Sequence, residues 1–253
     1  MRKKLPARTK KTIAAVVISV AAVCLVVALV ITTVVIPKRA YDAQVEKYGR
    51  ETVETFYALE ERDEYLFGTY EQDNDLSDGE EEIEWIVIAR EESRVLLMSK
   101  YALDCMPYED AEPSADWASS SVREWLNGEF LNGAFDELER EMILTAAAQP
   151  GVSIRGPAAG SDAGDAVFLL SDKETEKLLR WNKAKVCLPT EYAAARGAEI
   201  NIDGSCSWWL RSQGMSPSFA AYVHTFGGVV SGGISVNNGG VAVRPALWIS
   251  VLA

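Results

Sequence analysis

The sequence predicts an α+β domain carried behind one transmembrane helix, and three observations predict it. Thr12–Ile36 runs for 25 residues without a charge. Residues 116–148 show apolar side chains at helical spacing. After Cys206 the chain turns to short apolar runs punctuated by glycine pairs, the signature of short antiparallel strands. Helices first and a cluster of strands last is the order expected of α+β domains.

The elements follow in chain order. Residues 1–11 form a basic tail, and at 1.5 Å per residue Thr12–Ile36 is long enough to cross the ~30 Å hydrocarbon core with some tilt. Arg2, Lys3, Lys4, Arg8, Lys10 and Lys11 precede the run, whereas only Lys38 and Arg39 follow it. That asymmetry predicts a cytoplasmic N-terminus and an extracellular C-terminal domain. A cleaved signal peptide would have an apolar core of about 7–15 residues and a small-residue cleavage site. This run is longer, and Ile36-Pro37-Lys38-Arg39 is a poor site, so the expectation is an uncleaved signal anchor in the cell membrane.

Residues 37–64 read as a juxtamembrane stalk with a short helix interrupted near Gly49, and residues 65–253 as the ectodomain. Within it, Ile83–Ile88 and Arg94–Ser99 predict a hairpin turning at Glu91-Glu92-Ser93. Asp116 or Ser119 is positioned to cap a helix bearing Val122, Trp125, Leu126 and Phe130, which Asn127-Gly128 should break. Phe135, Leu138, Met142 and Ile143 form a second helical face, and residues 149–165 a Gly/Pro/Ala-rich loop. Val167–Leu170 reads as a short buried strand. Ser171 and Glu174 form a capping box opening a helix through Trp181. Pro189-Thr190-Glu191 starts a further helix that Gly197 ends. The final strands are expected at Trp208–Arg211, Ala220–Val223, Gly228–Val230, Ile234–Val236 and Arg244–Ile249.

Composition limits the chemistry. Residues 40–253 hold 17 basic and 37 acidic residues, a net charge of −20. Such a surface repels phosphate backbones and excludes nucleic acid as a partner. One histidine, His224, and no CxxC spacing leave little for a zinc site. Asp73, Asp75 and Ser77 lie at calcium-loop spacing, but Asp78 stands where such a loop requires glycine. A polar turn is therefore the expectation, calcium there the minor alternative, and no other cofactor is expected. Cys187 and Cys206 could close a disulfide or remain buried thiols. A hydrolase or thiol enzyme would have to use Cys206 or His224, and no reaction-specific constellation surrounds either.

The C-terminal segment carries the functional reading. Trp208, Trp209, Arg211 and Arg244 are stiff, apolar or cationic residues at its ends and are expected to act as frame. Between them, residues 213–242 hold seven glycines and four serines. Aromatic side chains mixed with Ser, Gly and Asn give rigid contact area with adaptable hydrogen bonding. Met215, Ser216, Ser218, Phe219, Tyr222, His224, Thr225, Phe226, Ser231, Ser235, Asn237 and Asn238 are the candidate ligand-binding residues, with the orientation of Tyr222 left open by strand alternation.

The chain also resembles a bacterial domain family of unassigned function. The matching pieces, in order, are Phe67-Gly68-Thr69-Tyr70-Glu71-Gln72, Ile83-Glu84-Trp85, Leu97-Met98-Ser99 and Val122-Arg123-Glu124-Trp125-Leu126-Asn127 with Phe130. Cys187-Leu188-Pro189-Thr190-Glu191-Tyr192-Ala193, Cys206-Ser207-Trp208-Trp209-Leu210-Arg211-Ser212 and Val243-Arg244-Pro245-Ala246-Leu247 complete the set. The resemblance runs from about residue 66 to the C-terminus and implies a C-type-lectin-like fold. That fold is related to the formylglycine-generating enzymes and to the variable proteins that retroelements diversify. In those proteins the segment between the Trp-rich strand and the closing Arg-Pro strand binds ligand, which implies residues 213–242 here. Gln213 and Ala242 depart from the family, which often has proline and glycine there. The expected function is recognition of an extracellular protein or glycan. A structural surface protein without a dedicated ligand is the alternative, and an extracytoplasmic enzyme a weaker one.

Overall fold

The expected hairpin is the centre of the first sheet. Strands β2 (Glu81–Arg90) and β3 (Val95–Ser99) pair antiparallel, with Val87 opposite Leu97 and Trp85 opposite Ser99. Alternation in β2 puts Ile83, Trp85 and Val87 inside, as period-2 geometry requires. The computed structural model describes residues 36–111, 114–145 and 164–252. The basic tail, the membrane run apart from Ile36, and the loop 149–165 apart from its last two residues lie outside the described residues. Among the described residues, no helix is long and apolar enough to cross a membrane.

Two units divide between Thr55 and Phe56, nine residues before the stalk boundary expected at residue 64. Helix α1 (Ile36–Tyr48) gives way to α2 (Arg50–Ala58) at Gly49, whose φ of +86° suits glycine and ends the helix. Residues 36–58 are thus helical and interrupted at Gly49, where the sequence predicts a break. Tyr41 Oη donates to Glu54 Oε1 at 3.3 Å across the break.

The second unit is α+β and has two sheets. The first runs β1 (Glu64–Tyr70), β2, β3, β11 (Ala246–Ile249), β5 (Ile143–Leu144), and β6 (Val167–Phe168) also pairs with β11. The second runs β4 (Asp104–Cys105), β10 (Ala242–Val243), β7 (Trp208–Gln213), β8 (Phe219–Val223), β9 (Val229–Ser235). All pairings are antiparallel except β10 with β7, where Ala242 lies opposite Trp208. The sequence predicts antiparallel strands throughout. The exception is possible because the whole β8–β9 hairpin intervenes, long enough to return the chain in the same direction.

Two local differences have identifiable causes. Gly228–Val230 and Ile234–Val236 are not separate strands but the two ends of β9. Gly232-Gly233 bends the strand without breaking it, and a Cβ at Gly233, with φ of +78°, would lie 2.6 Å from Ala220 O. The β8–β9 register shifts between Ala220 and Tyr222, as a bulge demands. Asn127-Gly128 likewise does not break its helix. Asp116 caps a 3-10 turn at Trp117–Ser119, and Ser120 rather than Ser119 caps α3 (Ser121–Trp125). A wide π turn, Leu126–Phe130, then carries the chain into α4 (Leu131–Ala134). Asn127 is held there by β6: its Nδ2 donates to Val167 O at 2.9 Å, and its Oδ1 accepts from Ala166 N at 2.8 Å.

Beyond α5 (Glu137–Met142), the Ser171–Glu174 capping box forms as predicted and opens α6 (Asp172–Leu178). The helix stops at Leu178 rather than Trp181, and a separate turn, α7 (Asn182–Lys185), follows. Thr190 caps α8 (Glu191–Ala195). Between the sheets pack Leu96, Met98, Leu170, Leu179, Trp208, Leu210, Val223 and Ala246. Each large side chain fully buried in this way contributes roughly 1.5–3 kcal/mol.

The capping box also supports a buried ion pair. Glu174 Oε1 accepts from Arg211 Nη2 at 2.7 Å, and Oε2 accepts from Ser171 N and Oγ at 2.7 and 2.8 Å. Burial acts to raise the carboxyl, but the Arg211 charge and these hydrogen bonds outweigh it and hold it below its ordinary 4.5. A depressed folded-state value stabilises the fold above the unfolded pKa and loses that contribution as pH falls through the folded value. Glu174→Gln is therefore expected to be less stable than wild type at about pH 7, the deficit shrinking as pH drops below roughly 4.3. Urea unfolding across that range checks it, and a deficit independent of pH contradicts it.

Candidate functional site

The predicted frame residues are all buried. Both faces of β7 are covered, so Trp208, Trp209, Leu210 and Arg211 are inside in succession. Trp208 Nε1 donates to Lys185 O at 2.9 Å and Trp209 Nε1 to Met106 O at 3.0 Å, which satisfies both indoles. Arg211 pairs with Glu174 and also donates to Leu169 O. Arg244 lies in the two-residue link from β10 to β11, where the chain passes from one sheet to the other. Its Nε donates to Ser99 O at 2.9 Å, Nη1 to Ala184 O at 2.7 Å and Nη2 to Lys100 O at 3.2 Å. The guanidinium stands 5.2 Å from the Trp208 ring centroid. Among the described residues no carboxylate pairs with it.

The candidate ligand-binding residues behave differently. Met215, His224, Phe226, Ser231 and Asn237 are exposed; Ser216, Ser218, Phe219, Tyr222, Thr225, Ser235 and Asn238 are half-buried. None belongs to the core. The orientation left open for Tyr222 is resolved by β8, where Ala221 and Val223 are buried and Tyr222 is not.

They do not form one patch. In β8–β9, Phe219 lies opposite Ser235 and Val223 opposite Val229. Those pairs are four residues apart, so the two ends of the hairpin lie roughly 14 Å apart. At one end, His224 and Phe226 stack with centroids 5.3 Å apart, and Tyr222 lies 6.5 Å from the His224 ring. The Thr225 hydroxyl is 3.2 Å from His224 Nδ1, and Thr225 O accepts from Ser205 Oγ at 2.9 Å. At the other end, Met215 N donates to Gly232 O at 2.9 Å, the Ser216 and Ser218 hydroxyls are 2.9 Å apart, and Asn237 Nδ2 donates to Glu109 O at 3.3 Å. Asn238 Oδ1 accepts from Gly240 N at 2.8 Å and shapes the turn after β9. Ser231 lies between the two ends and donates to Asp172 Oδ2 at 3.0 Å.

The first end includes residues that periodicity does not single out. Ser205 ties the loop Asn201–Gly204 to Thr225, and Ile202 in that loop is 99% exposed. Leu188 is half exposed and faces Gly204. An isoleucine inside an Asn-x-Asp-Gly turn has no strand or helix face on which to bury itself, and that was its signal in the sequence. Phe226, at 68% exposure, adds apolar area beside the His224 ring, and Ile202 adds more on the loop that Ser205 ties to Thr225.

Cys187 and Cys206 are neighbours across an antiparallel bridge, and both are free and buried. The hydrogen bond with Cys187, together with burial, pushes the Cys206 thiol up. Burial acts to raise Cys187 too, but the Cys206 hydrogen bond and the nearby Arg244 charge bring it below its ordinary value. Cys105 is raised to about 12 by burial and the Asp104 charge. A cavity of about 390 Å³, lined by Ala118, Ser119, Ser120, Arg123, Glu124, Asn127 and Gly128, contains none of the predicted site residues.

The calcium-loop trio is not gathered either. Asp75 Oδ1 accepts from Ser77 N at 3.1 Å and Ser77 Oγ at 2.6 Å, and Asp73 Oδ1 accepts from Asp75 N at 2.8 Å. These side chains close successive turns on their own backbone, as Asp does where the chain reverses.

A family model described as a domain of unknown function, DUF6273, matches residues 92–251. The pieces Phe67–Gln72 and Ile83–Trp85 lie upstream of it. No curated protein and no solved structure matches the chain. Alkylation of the unfolded, unreduced protein is expected to label Cys105, Cys187 and Cys206, as their free state requires. A mass showing Cys187 and Cys206 both unlabelled contradicts it.

Proposed function

We propose that this chain, which belongs to the DUF6273 family, is a recognition protein of the cell surface that binds a protein or glycan through the segment 213–242. The supporting observation is the division of labour in that segment. Trp208, Trp209, Arg211 and Arg244 are buried at its ends, while every candidate contact residue between them lies outside the core. A surface whose rigidity comes from elsewhere is free to carry contact residues, because substitutions on it cost little stability.

The proposal covers a C-type-lectin-like ectodomain, an anchor at residues 12–36 and an extracellular location. The anchor and location rest on the charge asymmetry around the apolar run, and the lectin-like reading on the ordered motif pieces. The hairpin end with Tyr222, His224, Phe226 and Ile202 is the preferred contact region. It combines stacked rings with exposed aliphatic area, the composition that dominates recognition energetics. Binding rather than catalysis is proposed because His224 Nδ1 faces the Thr225 hydroxyl and the Phe226 N–H, on an open turn.

The test is binding of the full chain to glycan and protein arrays, followed by affinity measurement on the strongest hit. The combined His224→Ala and Phe226→Ala variant is expected to weaken binding at least about tenfold, the scale of a lost aromatic anchor, with a melting temperature within a few degrees of wild type. Met215→Ala with Asn237→Ala reports on the other end. Unchanged affinity in both variants contradicts the proposal.

A further inference from the structure

The turn joining β1 to β2 brings together three carboxylates, of which the calcium-loop spacing singles out only Asp73. Tyr70 lies opposite Glu81 at the end of the ladder, so the next residue, Glu71, emerges beside Glu81. One carboxylate oxygen from each of Glu71, Asp73 and Glu81 lies within 4.8 Å of the other two. Oxygens that ligate one calcium ion at about 2.3–2.6 Å are separated by at most roughly 5 Å, so the spacing suits a single ion.

Close packing of acids alone is no site, and the decisive feature is Glu71. It is only 7% exposed, and its Oε1 meets no hydrogen-bond donor. Buried carboxylate oxygens are almost always satisfied, so an orphan one on a side chain grouped with two further carboxylates requires an explanation. Glu71, Asp73 and Glu81 thus bring like charges close together in the fold.

The surrounding backbone holds the group in place. Glu81 Oε2 accepts from Gln72 N at 2.7 Å and Asp73 N at 3.3 Å. The Gln72 side chain donates to Glu81 O and Glu82 O at 3.2 and 3.0 Å, and Gln72 O accepts from Tyr192 N at 2.9 Å. Gln72 therefore clamps the turn to β2 and to α8. Such a clamp fixes the donor set before any ion arrives, which lowers the ordering cost of binding.

We infer that Glu71, Asp73 and Glu81 bind one hard divalent cation, calcium in preference to magnesium. Hard cations take oxygen ligands, and calcium tolerates the irregular geometry that a turn provides, whereas magnesium demands near-ideal octahedra. The ion bridges the turn to β2 and neutralises the Glu71–Glu81 conflict. The site lies in the β1–β2 turn, outside the stretch matched by the family model. It does not depend on the recognition proposal.

The test is calorimetric titration of the full chain in detergent, stripped with chelator, using calcium chloride and magnesium chloride separately. One calcium per chain is expected, with half-saturation at or below about 1 mM, the range of extracellular calcium modules, and weaker magnesium uptake. Glu71→Gln and Asp73→Asn are each expected to weaken calcium at least about tenfold through loss of a charged ligand. Asp73 is exposed, so its variant keeps the test valid if Glu71→Gln fails to fold. Asp75→Asn should leave uptake within about twofold of wild type, since that side chain serves the Ser77 turn. No saturable uptake up to about 10 mM overturns the inference, as does uptake unaffected by the Glu71 and Asp73 changes or magnesium uptake as tight as calcium.

Discussion

The Arg244 guanidinium is the constraint on which the second unit depends. β10 belongs to one sheet and β11 to the other, and Arg244-Pro245 is all that joins them. From that link Arg244 donates to three backbone carbonyls of other segments, those of Ser99 and Lys100 at the end of β3 and of Ala184 in α7, while its face lies on Trp208. A fork of five donors can serve that many acceptors from one point, and a lysine cannot reproduce the geometry. With no carboxylate paired to it among the described residues, the charge is met by carbonyl dipoles.

This arrangement explains why the glycine-rich segment can be irregular. Arg211 bonded to Glu174, the two buried indoles and Arg244 fix where residues 213–242 leave and re-enter the fold. Between those points the chain needs only the β8–β9 ladder and its turns. The Gly232-Gly233 bulge accommodates the close approach to Ala220 without ending the strand. The contact residues are consequently distributed over two ends of one hairpin, and the end nearest Ile202 gathers the stacked rings.

Much of this architecture was legible in the sequence, for reasons that are local. The β2–β3 hairpin, the Ser171 and Thr190 caps and the break at Gly49 each depend on side chains within a few residues of one another. Long-range geometry was not legible. Asn127 reads as a helix breaker next to Gly128, yet β6, some 40 residues on in sequence, holds it inside a helical stretch. Two glycines read as a strand end, although the partner strand makes them a bulge. The three-carboxylate turn escaped notice because Glu71 and Glu81 meet through strand pairing, whereas loop motifs are read along one segment. Ile202 belongs to the candidate surface only because Ser205 folds back onto Thr225.

The buried cation at the sheet crossover is the main structural support of the surface beside it. The most direct measurement is urea unfolding of Arg244→Met, followed by tryptophan fluorescence and far-ultraviolet circular dichroism. Methionine keeps much of the packing volume but removes the guanidinium donor from three buried carbonyls, at about 1–3 kcal/mol for each one left unsatisfied. A loss of about 3 kcal/mol or more, with both signals coincident, is the predicted result. A loss below about 1 kcal/mol, in the range of ordinary surface changes, would contradict it.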